Sequence, residues 1–269
     1  MIIDAHTHIF PDRIAEKTIT YLAGKANISP HSDGTRDGLL SRLSEAGADI
    51  ALNLPVLTNP AQFDSVNRFA EELNTEFSKS QRGILSFAGI HPHCDNIDEK
   101  MAWIKAHGFL GVKIHPDYQG TFIDDERYIR ILECAKENDL IVTAHSGVDG
   151  GYPGLPVRCT PERALKVIKK VNHPKFILAH LGANEMTDAS VRMLCGENVY
   201  FDTAYVLRYI SAEDLRLILK KHGEDRILFA SDSPWSSIKD DADIIRSFAL
   251  PKDTEEKIFS KNAAALLGL

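Results

Sequence analysis

The sequence predicts an α/β fold: a (β/α)8 TIM barrel built as a single domain over residues 1–269. Three observations predict it. Short apolar runs, eight in all, alternate with helical patterns along the whole chain, and about 250 residues is the usual size of such a barrel. Several runs, such as Ile141-Val-Thr-Ala144 and Ile227-Leu-Phe-Ala230, are apolar on both faces, which suits strands buried in a parallel sheet. No Gly-x-Gly-x-x-Gly follows the first run, so the usual signal of a doubly wound dinucleotide-binding sheet is missing.

In chain order the strand candidates are Met1–Ala5, Asp49–Leu54, Ile84–Gly89, Leu110–Ile114, Leu140–Ala144, Phe176–Ala179, Val199–Asp202 and Ile227–Ala230. Helical patterns lie between them. In Ala61–Lys79 the apolar residues Phe63, Val66, Phe69, Ala70, Leu73 and Phe77 recur at helical spacing and form the inner face of an outer-layer helix. Thr160-Pro161 places an N-cap residue before a first-turn proline. Ser211-Ala-Glu-Asp214 and Asp253-Thr-Glu-Glu256 have the form of capping boxes.

Composition narrows the function. The chain is 43% apolar and 26% charged, ordinary for a globular protein with a sizeable core. A net charge of −7 argues against a nucleic-acid-binding surface, but not against a small acidic substrate held at a metal. Cys94, Cys134, Cys159 and Cys195 are scattered without a Cys-x-x-Cys pair and suit a reducing compartment. With neither a signal-peptide pattern nor an apolar run of about 20 residues, a cytoplasmic enzyme without membrane partners is expected. A homo-oligomer is left open.

The most informative motif is Asp4-Ala5-His6-Thr7-His8, just past the first apolar run. Residues i and i+2 of a strand face the same way, so the two imidazoles are expected side by side, and imidazole is the commonest protein ligand of zinc-like ions. Barrel active sites lie at the C-terminal ends of the strands. Those ends carry His91 and His93 on strand three, Lys113 and His115 on four, His145 on five, His180 on six, Asp202 on seven and Asp232 on eight. Seven of the eleven histidines fall at this rim; only His31, His107, His173 and His222 lie elsewhere.

The ordered set His-x-His, His, His, Asp on strands one, five, six and eight resembles the amidohydrolase superfamily, and specifically its amidohydrolase-related branch of metal-dependent hydrolases and decarboxylases. The resemblance runs from Asp4 to Asn262-Ala-Ala-Ala-Leu-Leu-Gly268. It implies that His6, His8, His145 and Asp232 hold one divalent metal, zinc, with room left for a water. It further implies that His180 serves as a base or orienting group and that Asp232 relays a proton. Lys113 leaves a second metal open: in binuclear members a carboxylated lysine ending strand four bridges two metals, whereas in the amidohydrolase-related branch a similar lysine occurs without a second metal, and one metal is expected here.

Four residues are expected around the substrate. Lys113 and His115 line the site. Arg158, on the glycine-rich loop Ser146–Thr160, can clamp a carboxylate, and Trp235 can stack on a planar ring. The first functional expectation is a metal-dependent hydrolase of an ester, lactone or amide of a small organic acid. The alternative is a non-oxidative decarboxylase of an unsaturated or aromatic acid, which uses the same cradle. A TatD-like deoxyribonuclease ranks lower, because Lys113 stands where that group carries a glutamate. The polymerase-and-histidinol-phosphatase family also ranks lower, because the chain ends its last strand in Ser231-Asp-Ser233 rather than Asp-x-His.

Overall fold

Every strand pairing in the computed structural model, which describes residues 1–269, is parallel. In chain order the elements are β1 (Ile3–Thr7), α1 (Asp12–Ala26), α2 (Arg36–Ala46), β2 (Ile50–Asn53), α3 (Phe63–Ser80), β3 (Gly83–Ser86), β4 (Ala88–Gly89) and α4 (Ile97–Ala106). There follow β5 (Gly111–Ile114), α5 (Glu126–Glu137), β6 (Ile141–Ala144), α6 (Pro161–Val171), β7 (Phe176–Leu178), α7 (Thr187–Met193), β8 (Tyr200–Asp202) and α8 (Ala212–His222). The chain ends with β9 (Ile227–Leu228), α9 (Ile238–Ser247), α10 (Lys252–Glu256) and α11 (Asn262–Leu267).

The strands form two runs, β1-β2-β3 and β4 through β9. Two seams join them. At the first, β3 and β4 are one extended segment that changes partner at Phe87, from β2 to β5. Backbone groups freed by the change are taken up by α3. Asn74 accepts from Ser86 N (2.7 Å) and donates to Ser86 O (3.0 Å), and Asn67 does the same for Gly89, at 2.8 and 3.1 Å. Two side-chain amides thus complete a ladder that the sheet leaves short. The third strand candidate, Ile84–Gly89, is therefore two short strands.

At the second seam β1 meets the β9 segment. Ala5 N donates to Phe229 O (2.9 Å) and Asp232 N to His6 O (2.9 Å), and Thr7 bridges Ser233. Asp4 reinforces it, accepting from Ser231 N at 3.0 Å and Ser231 Oγ at 2.5 Å. Its burial raises this carboxyl to about 7, against the hydrogen bonds from Ser231. With both seams made the ring is closed, as in a (β/α)8 barrel.

Side-chain alternation along the strands then positions the site. The inward face is apolar low in the barrel, where Ile50, Leu52, Leu85, Phe87, Ile141, Ile177 and Leu228 belong to one buried cluster. Two or four residues further along β5, β6 and the β9 segment come Lys113, His145 and Asp232. Gly111 marks a close backbone approach: a Cβ there would lie 2.6 Å from Ile141 O and 2.8 Å from the Phe87 ring. A larger cluster of 51 buried residues lies between the strands and the helices; α3 presents Phe63, Ala70, Leu73 and Phe77 to the interior.

Local expectations are met at α6, where Thr160 accepts from Arg163 N, and at α8, where Ser211 and Asp214 form the reciprocal box. They fail at Asp253. This residue lies inside α10, which starts after Pro251 without a side-chain cap, and its carboxylate pairs with Lys261 at 2.8 Å. Asp253 pairs with both Lys257 and Lys261, in a network that also holds Glu224, Asp225 and Glu256, so its carboxylate is taken as an ion-pair partner rather than as a cap. No helix is long and apolar enough to cross a membrane.

Candidate metal centre at the strand ends

β1 extends to Thr7, so His6 sits inside the strand and His8 just beyond it, rather than both past its end. Their Nε2 atoms are 3.2 Å apart. Asp232 Oδ1 lies 3.2 Å from His8 Nε2 and 3.5 Å from His6 Nε2.

Hydrogen bonds on the far side of each ring fix what these atoms are. His8 Nδ1 lies 2.8 Å from Leu54 O; a carbonyl only accepts, so Nδ1 carries the proton and a neutral ring leaves Nε2 bare. His6 Nδ1 donates to Asp202 Oδ2 at 2.9 Å. Burial and the nearby Lys113 ammonium hold His6 well below the usual histidine range, so its ring is neutral. Two lone pairs and a carboxylate oxygen therefore converge, and the one proton offered to them comes from Lys113 Nζ, 2.9 Å from His6 Nε2. Two imidazoles with one carboxylate are a donor set for a divalent metal. The residues fit the ion.

Lys113 is fully buried, with Nζ 2.9 Å from His6 Nε2. Burial lowers its pKa to about 8, against the pull of Asp202 and Asp232. Beyond it, His180 Nδ1 donates to Ala204 O (2.8 Å), leaving Nε2 to accept from His145 Nδ1 at 3.0 Å. His180 and Asp232 both adopt left-handed backbone, φ 63° and 69°, a conformation that costs a non-glycine residue on the order of 1 kcal/mol or more. Their amides are pinned, His180 N by Asp202 Oδ1 (2.9 Å) and Asp232 N by His6 O. The strain is held by the same residues that build the cradle.

The donor atoms of His6, His8 and Asp232 lie within 4.8 Å of one another, and His145 falls into a different group, with His115 and Asp149. That second group is not a ready cation site. His115 Nε2 faces Asp149 Oδ2 at 3.3 Å, and its other lone pair accepts from Tyr118 N. The His115 and His145 rings are also stacked at 4.1 Å and nearly parallel, so their in-plane lone pairs do not converge. Burial lowers His115 to about 4.

Arg158 packs on Asp117: its backbone N donates to Asp117 Oδ1 at 3.2 Å and its Nη1 lies 3.7 Å from the same oxygen. Burial raises Asp117 to about 6, against the Arg158 backbone hydrogen bond. Trp235 is half-buried, its N–H donating to Asp232 O. His91 and His93 lie off the cradle; His93 packs with Thr121 and Arg127. Asp117 and Asp149 escape a reading of the sequence. The signal for Asp117 is its place two residues after His115; for Asp149 it is the glycine-rich loop after His145.

A family model described as amidohydrolase matches residues 3–269. No curated protein matches. Among solved structures, the chain is similar to a dihydroxybenzoic acid decarboxylase from a Polaromonas species, with bound manganese and the inhibitor 2-nitroresorcinol (17% identity, TM-score 0.74, covering 100% of this chain and 97% of that one). It is also similar to a 5-carboxyvanillate decarboxylase from Novosphingobium aromaticivorans, complexed with manganese and 4-hydroxy-3-methoxy-5-nitrobenzoic acid (17%, 0.72, 100% and 96%). A third is a 2,6-dihydroxybenzoate decarboxylase from Rhizobium (17%, 0.69, 99% and 98%).

Proposed function

The chain belongs to the amidohydrolase family, and from that premise we propose that it is a metal-dependent, non-oxidative decarboxylase of a small aromatic or unsaturated carboxylic acid. The observation that carries the metal is the convergence of His6 Nε2, His8 Nε2 and Asp232 Oδ1 within 3.2 to 3.5 Å of one another. The decarboxylase reading draws support from the named activities of the similar structures, and it reverses the order in which the sequence alone ranks the two reactions.

The ion would be held by His6, His8 and Asp232, with His145 as the further ligand. It would supply a positive charge that binds the substrate carboxylate and adjoining oxygen. Both zinc and manganese suit such a mixed nitrogen and oxygen set; the similar structures hold manganese. Asp232 would also relay a proton taken from solvent. It delivers the proton to the ring carbon bearing the carboxylate. The new carbon–hydrogen bond takes a pair of ring π electrons; the carbon–carbon bond then breaks, carbon dioxide leaves, and the bonding pair restores the ring π system. His180, fixed through Ala204 O, orients the reacting group, and Lys113 adds positive charge beside it. His115, Arg158 and Trp235 are the proposed substrate wall.

The second reading is hydrolysis, with Lys113 carboxylated and bridging a second ion. It is favoured by the pairing of His145 Nδ1 with His180 Nε2 on the far side of a lysine whose pKa is lowered to about 8. One experiment separates them. The metal-loaded protein is incubated with hydroxylated benzoates and, in parallel, with aryl esters and lactones. Stoichiometric carbon dioxide, with one deuterium taken into the product ring from D2O, supports decarboxylation. Ester or lactone cleavage without carbon dioxide, at two metals per chain, replaces it with the hydrolase.

A further inference from the structure

Four histidines surround the centre, and three have their outer nitrogen tied down: His6 to Asp202 Oδ2, His8 to Leu54 O and His180 to Ala204 O. His145 is the exception. Its Nδ1 faces His180, and its Nε2 is buried without a hydrogen-bond partner. Asp117 Oδ2 lies 3.9 Å away on that side and is also buried and unpartnered. Two orphaned polar atoms facing each other at this distance are uncommon in a folded interior.

Proton placement explains the gap. His180 Nδ1 must donate to a carbonyl, so a neutral His180 accepts at Nε2. His145 must then carry its own proton on Nδ1 to satisfy that contact. Its Nε2 is left bare, facing a carboxylate oxygen, and two acceptors do not approach. Ligation of a cation by Nδ1 would change this: a neutral ring bound through Nδ1 carries its proton on Nε2, directed at Asp117. Closing the gap by about 1 Å gives an ordinary hydrogen bond. Asp117 is held for this contact from behind, by the Arg158 N–H on Oδ1 and the guanidinium beside it.

We propose that Asp117 is the outer positioning residue of His145: it accepts the Nε2 proton when Nδ1 binds the metal, and Arg158 holds it in place. The proposal rests on the assignment of His145 as a metal ligand. Ligand histidines tied to a carboxylate are oriented and made more basic, and loss of such a partner lowers metal affinity about 10–100-fold. It gives Arg158 a role independent of any substrate: its backbone N–H and guanidinium keep a buried carboxylate aimed at a ligand ring.

The test uses the full chain stripped of metal and titrated with zinc against a chromophoric chelator. Wild type, Asp117→Asn, Asp117→Ala and His145→Ala are compared, together with 15N-histidine spectra of the zinc-loaded proteins. Expected are a small loss of affinity for Asp117→Asn, which keeps a neutral acceptor, and a 10–100-fold loss for Asp117→Ala. In wild type His145 should carry zinc on Nδ1 and a slowly exchanging proton on Nε2, which exchanges faster in Asp117→Asn. Wild-type affinity in Asp117→Ala, or zinc on Nε2 of His145, overturns the proposal while leaving the metal centre standing. Wild-type affinity in His145→Ala overturns the ligand assignment beneath it as well. Should Asp117→Ala fail to fold, the near-isosteric Asp117→Asn decides by its proton signature.

Discussion

Asp202 and His6 are 196 residues apart in the chain and 2.9 Å apart in the fold, carboxylate Oδ2 against Nδ1. The same carboxylate accepts the His180 and Ala204 backbone N–H groups through Oδ1, at 2.9 and 3.1 Å. One buried side chain thus sets the tautomer of a proposed ligand and the backbone of the residue beside it.

Asp202→Asn should therefore disturb the site without dismantling the barrel. The amide keeps the shape but loses the charge, and one of its two ends becomes a donor. Affinity for zinc or manganese should fall about 10–100-fold, read by chelator competition. Unchanged affinity would show that His6 does not need this partner.

Asp232→Asn should lower turnover by about 10²–10⁴-fold, the usual range for loss of an acid–base group. The far-ultraviolet circular dichroism should stay that of wild type, because the pinned Asp232 amide is unaffected by the change. Near-normal turnover would remove Asp232 from proton transfer.

Acid should weaken the fold through two histidines outside the site. His173 Nε2 donates to Leu140 O and its Nδ1 accepts from Lys175 N; His222 repeats this with Val199 O and Gly196 N. Both nitrogens of each ring are used only in the neutral form, and burial lowers both groups from 6.5 to about 4. The unfolded chain then binds the extra protons. Their contribution is complete above pH 6.5, declines as pH falls towards 4, and declines no further below that, by on the order of 2–3 kcal/mol for each ring. Urea unfolding at pH 7, 5.5 and 4.5 measures this, and His222→Gln should flatten the slope.

Gly111→Ala should destabilise the protein by about 1–3 kcal/mol, the range for overpacking a filled core. The new methyl meets Ile141 O and the Phe87 ring, and backbone has little room to shift where β5 pairs with β6. Urea titration measures it. A wild-type midpoint would mean that Phe87 has another rotamer open to it.

Much of this was legible in the sequence, and the reason is periodicity. Strand alternation places Lys113, His145 and Asp232 on the inward face whatever the packing details, so the eight apolar runs and the histidines after them locate the rim. Tautomers and outer partners were not legible. Whether His145 looks towards His6 or Asp117 depends on χ angles set by His180 Nε2 and the His115 stack, contacts between residues far apart in the chain. Asp253 shows the converse: its spacing reads as a cap, and Lys261, which claims its carboxylate, lies eight residues on.

The seam between β1 and the β9 segment has a temporal consequence. His6 and His8 leave the ribosome before Asp232, and they meet only once Ala5 N has found Phe229 O. A chain not yet extended to Asp232 lacks the complete cradle. An ion held by His6, His8 and Asp232 would act as a clasp across this joint of the ring. Its binding free energy would add to stability in proportion to the logarithm of free metal, at the seam where β1 meets the β9 segment.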